Sequence, residues 1–226
     1  MPAHRTHANL FPFTARLRRE LFILKTSSTP PLRALFLGTA AGNTSVSRDH
    51  SGILLETDGS SILLDCGAVA ARHFHANDFP TGTPGAVWLS HMHSDHIGQV
   101  GMLVQSLWLR QRQATLHVFG PAEVMRVMKD WLERCLLFPE LVGFPIERHA
   151  VTPGRPVTHG AFTLTAFPTA HLTNLSGQFR KAYPNTCLDC YGLILEDQGR
   201  RYVYSSDIEH PRDLDPALFQ PPPAGG

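Results

Sequence analysis

The chain has 226 residues, 42% of them hydrophobic and 17% charged, with a formal net charge of +1. That is enough apolar material for one sizeable core, and a charge near zero argues against an extended surface for binding polyanions. Four cysteines in a chain of this length do not make a disulfide scaffold, and no apolar run reaches the length of a membrane span, so a reducing, cytoplasmic setting without a membrane role is expected. Residues 1–31 hold five Lys or Arg against one acid, net +4, while the remainder holds 15 basic against 18 acidic residues, net −3. This start ends in Ser27-Ser28-Thr29-Pro30-Pro31 and reads as a basic, poorly ordered extension. The domain follows over residues 32–218, and residues 219–226 form a Pro/Gly-rich tail that cannot continue a helix or a central strand.

In chain order, strands are expected at Arg33–Leu37, Gly52–Thr57 and Ser61–Asp65, the last two joined by the turn signal Asp58-Gly59. Ala86–Ser90 reads as a short buried strand, followed by a helix over about Gly98–Arg110. Leu116–Phe119 is the next strand, and Pro121–Leu137 a helix with proline at its first position. Met125, Met128 and Trp131 fall on that helix at packing spacing. Further strands are expected at Ile146–Val151, Phe162–Phe167, Tyr191–Glu196 and Arg201–Ser205. Runs of strands with interspersed helices imply an α/β chain built as a mixed sandwich rather than a doubly wound sheet.

The most informative stretch is His91-Met92-His93-Ser94-Asp95-His96, between a buried strand and a helix. Imidazole suits zinc and other first-row metals, and a carboxylate adds charge and a hard oxygen. On a tight strand-to-helix turn such side chains can fan around one point. Asp65, His91, His171 and Asp207 each follow the carboxyl end of an apolar strand, where α/β folds commonly assemble their sites. Taken singly, His171 is either a ligand or a satisfied loop histidine, and Asp207 either a ligand or a helix N-cap. Gly38-Thr39-Ala40-Ala41-Gly42 is a tight turn or a backbone cradle for phosphate; Cys187-Leu188-Asp189-Cys190 reads as ordinary thiols, and His73 and His75 as solvated residues of a polar loop.

The histidine-rich stretch, with Ile97-Gly98 after it, resembles the HxHxDH signature of the metallo-β-lactamase superfamily. Leu63-Leu64-Asp65-Cys66-Gly67, Thr169-Ala170-His171 and Tyr204-Ser205-Ser206-Asp207 resemble that family's first, third and fourth motifs, in order. Phe36-Leu37-Gly38-Thr39-Ala40-Ala41-Gly42, the segment Ser47-Arg48-Asp49-His50-Ser51-Gly52, and Val118-Phe119-Gly120-Pro121 resemble the branch holding ribonuclease Z and small phosphodiesterases. The resemblance implies an αββα sandwich of two mixed sheets with outer helices. It also implies one or two Zn2+ ions, with Mn2+ or Fe2+ as alternatives. His91, His93 and His171 would hold one ion, Asp95 and His96 the other, and Asp207 both. Asp65 would orient a ligand from behind, and Asp95 would also engage the attacking water.

The implied reaction is metal-assisted hydrolysis of a phosphodiester, in RNA or a small nucleotide. Hydrolysis of a lactone, thioester or lactam on the same fold, or metal binding without turnover, are the alternatives. Two departures from the family pattern stand out. A final histidine on the second metal should lie several tens of residues beyond Asp207, yet only nineteen residues follow it, with His210 the one histidine among them. His210 is therefore a candidate general acid or substitute ligand. The long arm with which some ribonuclease Z proteins grip transfer RNA is also not recognisable. The expectation is an incomplete carboxy-terminal part, an open sheet edge favouring homo-oligomers, and a second metal held more weakly than the first.

Overall fold

The computed structural model describes residues 32–43, 45–57 and 59–220. The basic extension, Asp58 of the expected hairpin turn and the last six residues lie outside the described residues. Among the described residues ten strands form two sheets. The first holds β1 (Arg33–Gly38), β2 (Gly52–Thr57), β3 (Ser60–Leu64), β4 (Ala86–Trp88), β5 (Leu116–Gly120) and β6 (Ile146–Ala150), in that order. Its pairs are antiparallel from β1 to β3 and parallel from β3 to β6. The second sheet holds β7 (Pro156–His159), β8 (Phe162–Pro168), β9 (Tyr191–Asp197) and β10 (Arg200–Tyr204) in the order β10-β9-β8-β7. It is antiparallel throughout, against the expectation of two mixed sheets, because two of its connections are short turns that reverse the chain.

Alternation explains the layers. Leu54, Leu63, Val87, Leu116 and Val118 face one side of the first sheet, where helices α1 (Ala70–Ala76), α3 (Val100–Leu109) and α4 (Ala122–Arg134) bury Phe74, Leu103, Leu107, Met125, Met128 and Leu132. Their neighbours Leu55, Ile62, Leu64, Trp88 and Phe119 face the other side and meet Phe162, Leu164, Ala166, Leu193 and Leu195 of the second sheet. Both faces of the central strands are therefore buried, which is why they read as continuous apolar runs in the sequence. In β8 only every second residue is fully buried, the pattern of a strand with one face in the core.

Local structure adds to one expectation and corrects two. The helix expected over about Gly98–Arg110 forms as α3, and a separate turn of helix, α2 (Ser94–Ile97), precedes it, with Gly98 capping α2 and Gln99 preceding α3. Pro121 is the N-cap of α4, not its first helical residue, and the helix stops at Arg134 before Leu136 turns left-handed at φ 61°. His73 and His75 sit on α1, where the His73 imidazole lies 3.3 Å from Asp49, so His73 belongs to no solvated loop. Short helices α5 (Pro139–Val142) and α6 (Thr173–Phe179), and two 3-10 turns at Pro211–Asp213 and Pro216–Phe219, complete the described chain. Among the described residues no helix is long and apolar enough to cross a membrane.

One buried charge holds the connection into β5. Arg112 is 1% exposed, and its guanidinium donates to the carbonyls of Ala114, Thr81, Pro84 and Thr115 at 2.7 to 3.1 Å while lying over the Phe144 ring. Burial pulls its pKa down to about 10, still protonated at neutral pH. Arg112→Ala strands four carbonyls, and a loss of about 3 kcal/mol or more is expected, measured by urea unfolding. A loss indistinguishable from that of an exposed arginine such as Arg155 would show that water replaces the guanidinium without penalty.

Candidate metal centre

Four side chains of the site follow the ends of four strands. Asp65 comes directly after β3, and His91, His171 and Asp207 each lie three residues beyond β4, β8 and β10. Strand ends from both sheets thus deliver them to one rim of the sandwich. Two residues make sharp left-handed turns on the way, Asp65 at φ 55° and Ser206 at φ 53°. Such conformations cost energy outside glycine and are held by their surroundings. Gly67 is equally specific. A Cβ there would lie 1.5 Å from the Asp95 carbonyl oxygen, so only glycine lets the segment after β3 run against the back of α2. Backbone bonds lock that contact, from the Cys66 N–H to His96 O and from the Gln99 N–H to Cys66 O.

Asp65 is fully buried and its carboxylate is met by four donors. Oδ1 accepts the Ser90 N–H at 2.8 Å; Oδ2 accepts the Ser90 hydroxyl at 2.8 Å, the Tyr204 hydroxyl at 2.6 Å and His96 Nδ1–H at 2.6 Å. Proton bookkeeping along this network then fixes two tautomers. The Ser90 hydroxyl spends its hydrogen on Asp65, so it accepts from His91 Nδ1–H at 2.9 Å. His91 and His96 therefore both carry Nδ1–H and both turn Nε2 toward the rim, that of His91 unprotonated. Tyr204 in turn accepts from the Ser51 hydroxyl at 3.1 Å.

In front of this network the donors converge. One ligand atom from each of His91, His93, His171 and Asp207 falls within 4.8 Å of the others, and the same holds for Asp95, His96 and Asp207. Asp207 belongs to both groups. Its Oδ2 lies 3.5 Å from His171 Nε2, and its Oδ1 lies 3.4 Å from His96 Nε2. His93 Nδ1 and His171 Nε2 are 3.1 Å apart, and His96 Nε2 is 3.5 Å from Asp95 Oδ2. These separations match the edge of a tetrahedron with metal–nitrogen or metal–oxygen bonds of about 2.1 Å, which is roughly 3.4 Å.

Electrostatics agrees. His91 Nε2 is buried with no hydrogen-bond partner, and burial, then the neighbouring imidazoles, push the His91 pKa down to about 2. For His96, burial is the largest influence and pulls downward. The hydrogen bonds to Asp207 and Asp65 outweigh it together with those carboxylates' charges, lifting the pKa to about 10. Asp207 is held at about 2, first by its hydrogen bond to His96. Three carboxylates call for positive charge at the centre: protonated His96 supplies one, and a divalent cation that displaces its Nε2 proton would supply more and use the lone pair of His91 Nε2.

All the residues anticipated for the metals are thus brought together, and Asp65 stands behind them. His210 is not. It is exposed at the start of the first 3-10 turn, its Nδ1 accepts the Arg212 N–H at 3.1 Å, and it joins neither donor group. Sequence reasoning missed Ser90 and Tyr204, which hold Asp65, and Thr169, whose hydroxyl donates to the Asp207 carbonyl at 3.0 Å. Each is a neighbour of a motif residue, the only signal available. The Gly38–Gly42 turn also lies at the centre, lining a recess of about 200 Å³ with Ser51, Asp95, His96 and Asp207.

Comparison with known proteins gives a consistent pattern. A family model described as the beta-lactamase superfamily domain matches residues 60–222. A ribonuclease Z of Myxococcus xanthus is 30% identical over 173 residues, 76% of this chain and 50% of that protein. The chain spans about half the length of the curated relatives it matches. Among solved structures, the metallo-beta-lactamase fold protein YhfI from Bacillus subtilis superposes with a TM-score of 0.59 at 24% identity, covering 79% of this chain and 63% of that one. The short form of human tRNase Z gives 0.59 at 19% identity, covering 78% and 69%. These likenesses show the fold.

Asp65→Asn places an amide where four donors converge, so the His96 tautomer is no longer enforced. Zinc affinity should fall by about 10- to 100-fold, the usual cost of removing such a supporting partner, as read by competition with a chromophoric chelator. Unchanged affinity in a folded Asp65→Asn protein would dissociate the buried network from metal binding.

Proposed function

The chain belongs to the beta-lactamase superfamily, and on that premise we propose that it is a metal-dependent hydrolase acting on phosphodiesters, with RNA as the leading substrate class. The observation that carries this reading is the Asp207 carboxylate, which turns one oxygen to each donor group. A carboxylate so shared suits a pair of ions, and paired ions suit in-line displacement at phosphorus. His91, His93 and His171 would hold one ion and Asp95 and His96 the other, with Asp207 common to both; zinc fits the nitrogen-rich donor set best. When bound, such ions make water acidic enough to attack at neutral pH and neutralise charge that builds on the phosphoryl oxygens.

The chain's own residues supply positioning. Asp95 is accessible at the floor of the recess, where its carboxylate can accept a hydrogen bond from the attacking water and orient a lone pair toward phosphorus. The Gly38–Gly42 turn forms the facing wall. Its backbone approaches within contact of Asp95, since a Cβ on Gly42 would sit 3.3 Å from Asp95 Oδ2. A phosphate in the recess would meet main chain on one side and the donor groups on the other. Asp65 and Ser90, both buried, and half-buried Tyr204 keep His91 and His96 from turning as charge develops.

The matched relatives named ribonuclease Z favour RNA among phosphodiesters. Hydrolysis of an activated phosphodiester such as bis(p-nitrophenyl) phosphate should require added zinc or manganese and cease with chelator. Asp95→Asn should reduce it by at least about 100-fold while leaving the fold intact by circular dichroism, the scale lost with a positioned acid–base group. Undiminished turnover in Asp95→Asn would remove that residue from the mechanism. Cleavage of a thioester reporter but not of the phosphodiester would reassign the reaction on the same centre.

A further inference from the structure

A second group of metal-ligand side chains, separate from those at the rim, lies on two neighbouring strands of the first sheet. His117 on β5 pairs with Ala86, the first residue of β4, whereas His91 lies beyond that strand's far end. On β6, Glu147 pairs with His117 and His149 pairs with Phe119, so the four side chains project on one face. Phe119 belongs to the core between the sheets. The His149 ring stacks on Phe119 at 4.6 Å and 18°, and on His117 at 5.3 Å and 24°. His159, at the end of β7 in the other sheet, packs on His117 at 4.7 Å. Both imidazoles are thus clamped by aromatic neighbours, which sets where their nitrogens point.

Those nitrogens and one carboxylate oxygen form a compact triangle. His117 Nδ1 is 3.1 Å from His149 Nε2; Glu147 Oε2 is 3.4 Å from the first and 3.6 Å from the second. The three edges bracket the roughly 3.4 Å edge of a tetrahedron with bonds of about 2.1 Å. The same dimensions recur at the rim, among wholly different residues. We propose that His117, Glu147 and His149 form a separate binding site for a first-row divalent cation, zinc by preference, that ties β5 to β6 and leaves one coordination position open. The Glu147 side chain is 55% exposed, which places the open position toward solvent. Two imidazoles and one carboxylate leave a single net positive charge with a divalent ion, acceptable at a half-exposed place.

The test counts zinc in the full chain. In a background carrying His91→Ala, His93→Ala and Asp207→Ala, one equivalent should remain, and adding Glu147→Gln should weaken it by at least about tenfold, the loss of one ligand of three. His149→Gln should do the same; Glu147, being half-exposed, is the substitution that spares the fold if His149→Gln does not. With cobalt in place of zinc, the retained equivalent should show visible absorption of a four-coordinate ion. In the otherwise unaltered chain, Glu147→Gln should leave phosphodiester hydrolysis at saturating zinc unchanged. If the triple-substituted background binds no zinc, or binds it equally with and without Glu147→Gln, the triangle is only a proton-sharing imidazole pair beside a carboxylate.

Discussion

The buried negative charge of Asp65 is the constraint on which the rim depends. A carboxylate wholly removed from water is tolerable only if donors replace its hydration, and four do so here. Two of them belong to Ser90 and one each to His96 and Tyr204, which lie on three different stretches of chain. The consequence reaches further than stability. Because every hydrogen in the network has one destination, the Nδ1–H of His91 and of His96 is fixed and the Nε2 of each is turned to the rim. His91 offers its lone pair there before anything binds, and His96 is oriented to offer one once its Nε2 proton is displaced.

The sandwich architecture supplies the second half of the arrangement. Parallel strands β3 and β4 point their carboxyl ends the same way and bring Asp65 and His91 side by side. The other sheet contributes His171 and Asp207 from β8 and β10, strands separated by β9 in the sheet order. Joining donors from two sheets at one rim requires tight turns immediately after the strands. The left-handed residues Asp65 and Ser206 and the close approach at Gly67 are the local cost of that geometry. His117, Glu147 and His149 on β5 and β6, with His159 of the other sheet against them, show that the same parallel register also gathers imidazoles where no motif announces them.

Much of the fold was legible because its signals are local. The strand from Gly52 to Thr57 has the bounds expected, and β5, β6, β8, β9 and β10 differ by a residue or so. The run Leu116–Phe119 is apolar enough to be buried on both faces, and Phe162–Phe167 alternates as a strand with one face in the core. The misses have physical causes. Helix α1 contains His73 and His75 and lacks a side-chain cap, so neither polarity nor a start signal marked it; burial of Ala70 and Phe74 holds it instead. The strand β7 begins with Pro156 and is four residues long at an edge, where proline is permitted but uninformative. At the rim, His91, His93, Asp95 and His96 were legible as a dense run, whereas His171 and Asp207 needed the motif resemblance. Ser90 and Tyr204 both hold Asp65, through contacts that span up to 139 positions of sequence, and no spacing rule encodes them. His210 failed in the other direction, since proximity in sequence to Asp207 did not bring it to the centre.

The central claim is that Asp207 is shared between two ions held by otherwise separate donors. Anomalous diffraction at the zinc edge from crystals of the zinc-loaded chain tests it most directly. The account predicts two peaks at the rim about 3.5–4 Å apart, one against His91, His93 and His171 and a weaker one against Asp95 and His96, with Asp207 touching both. A single rim peak, or two peaks of which Asp207 contacts only one, would contradict it.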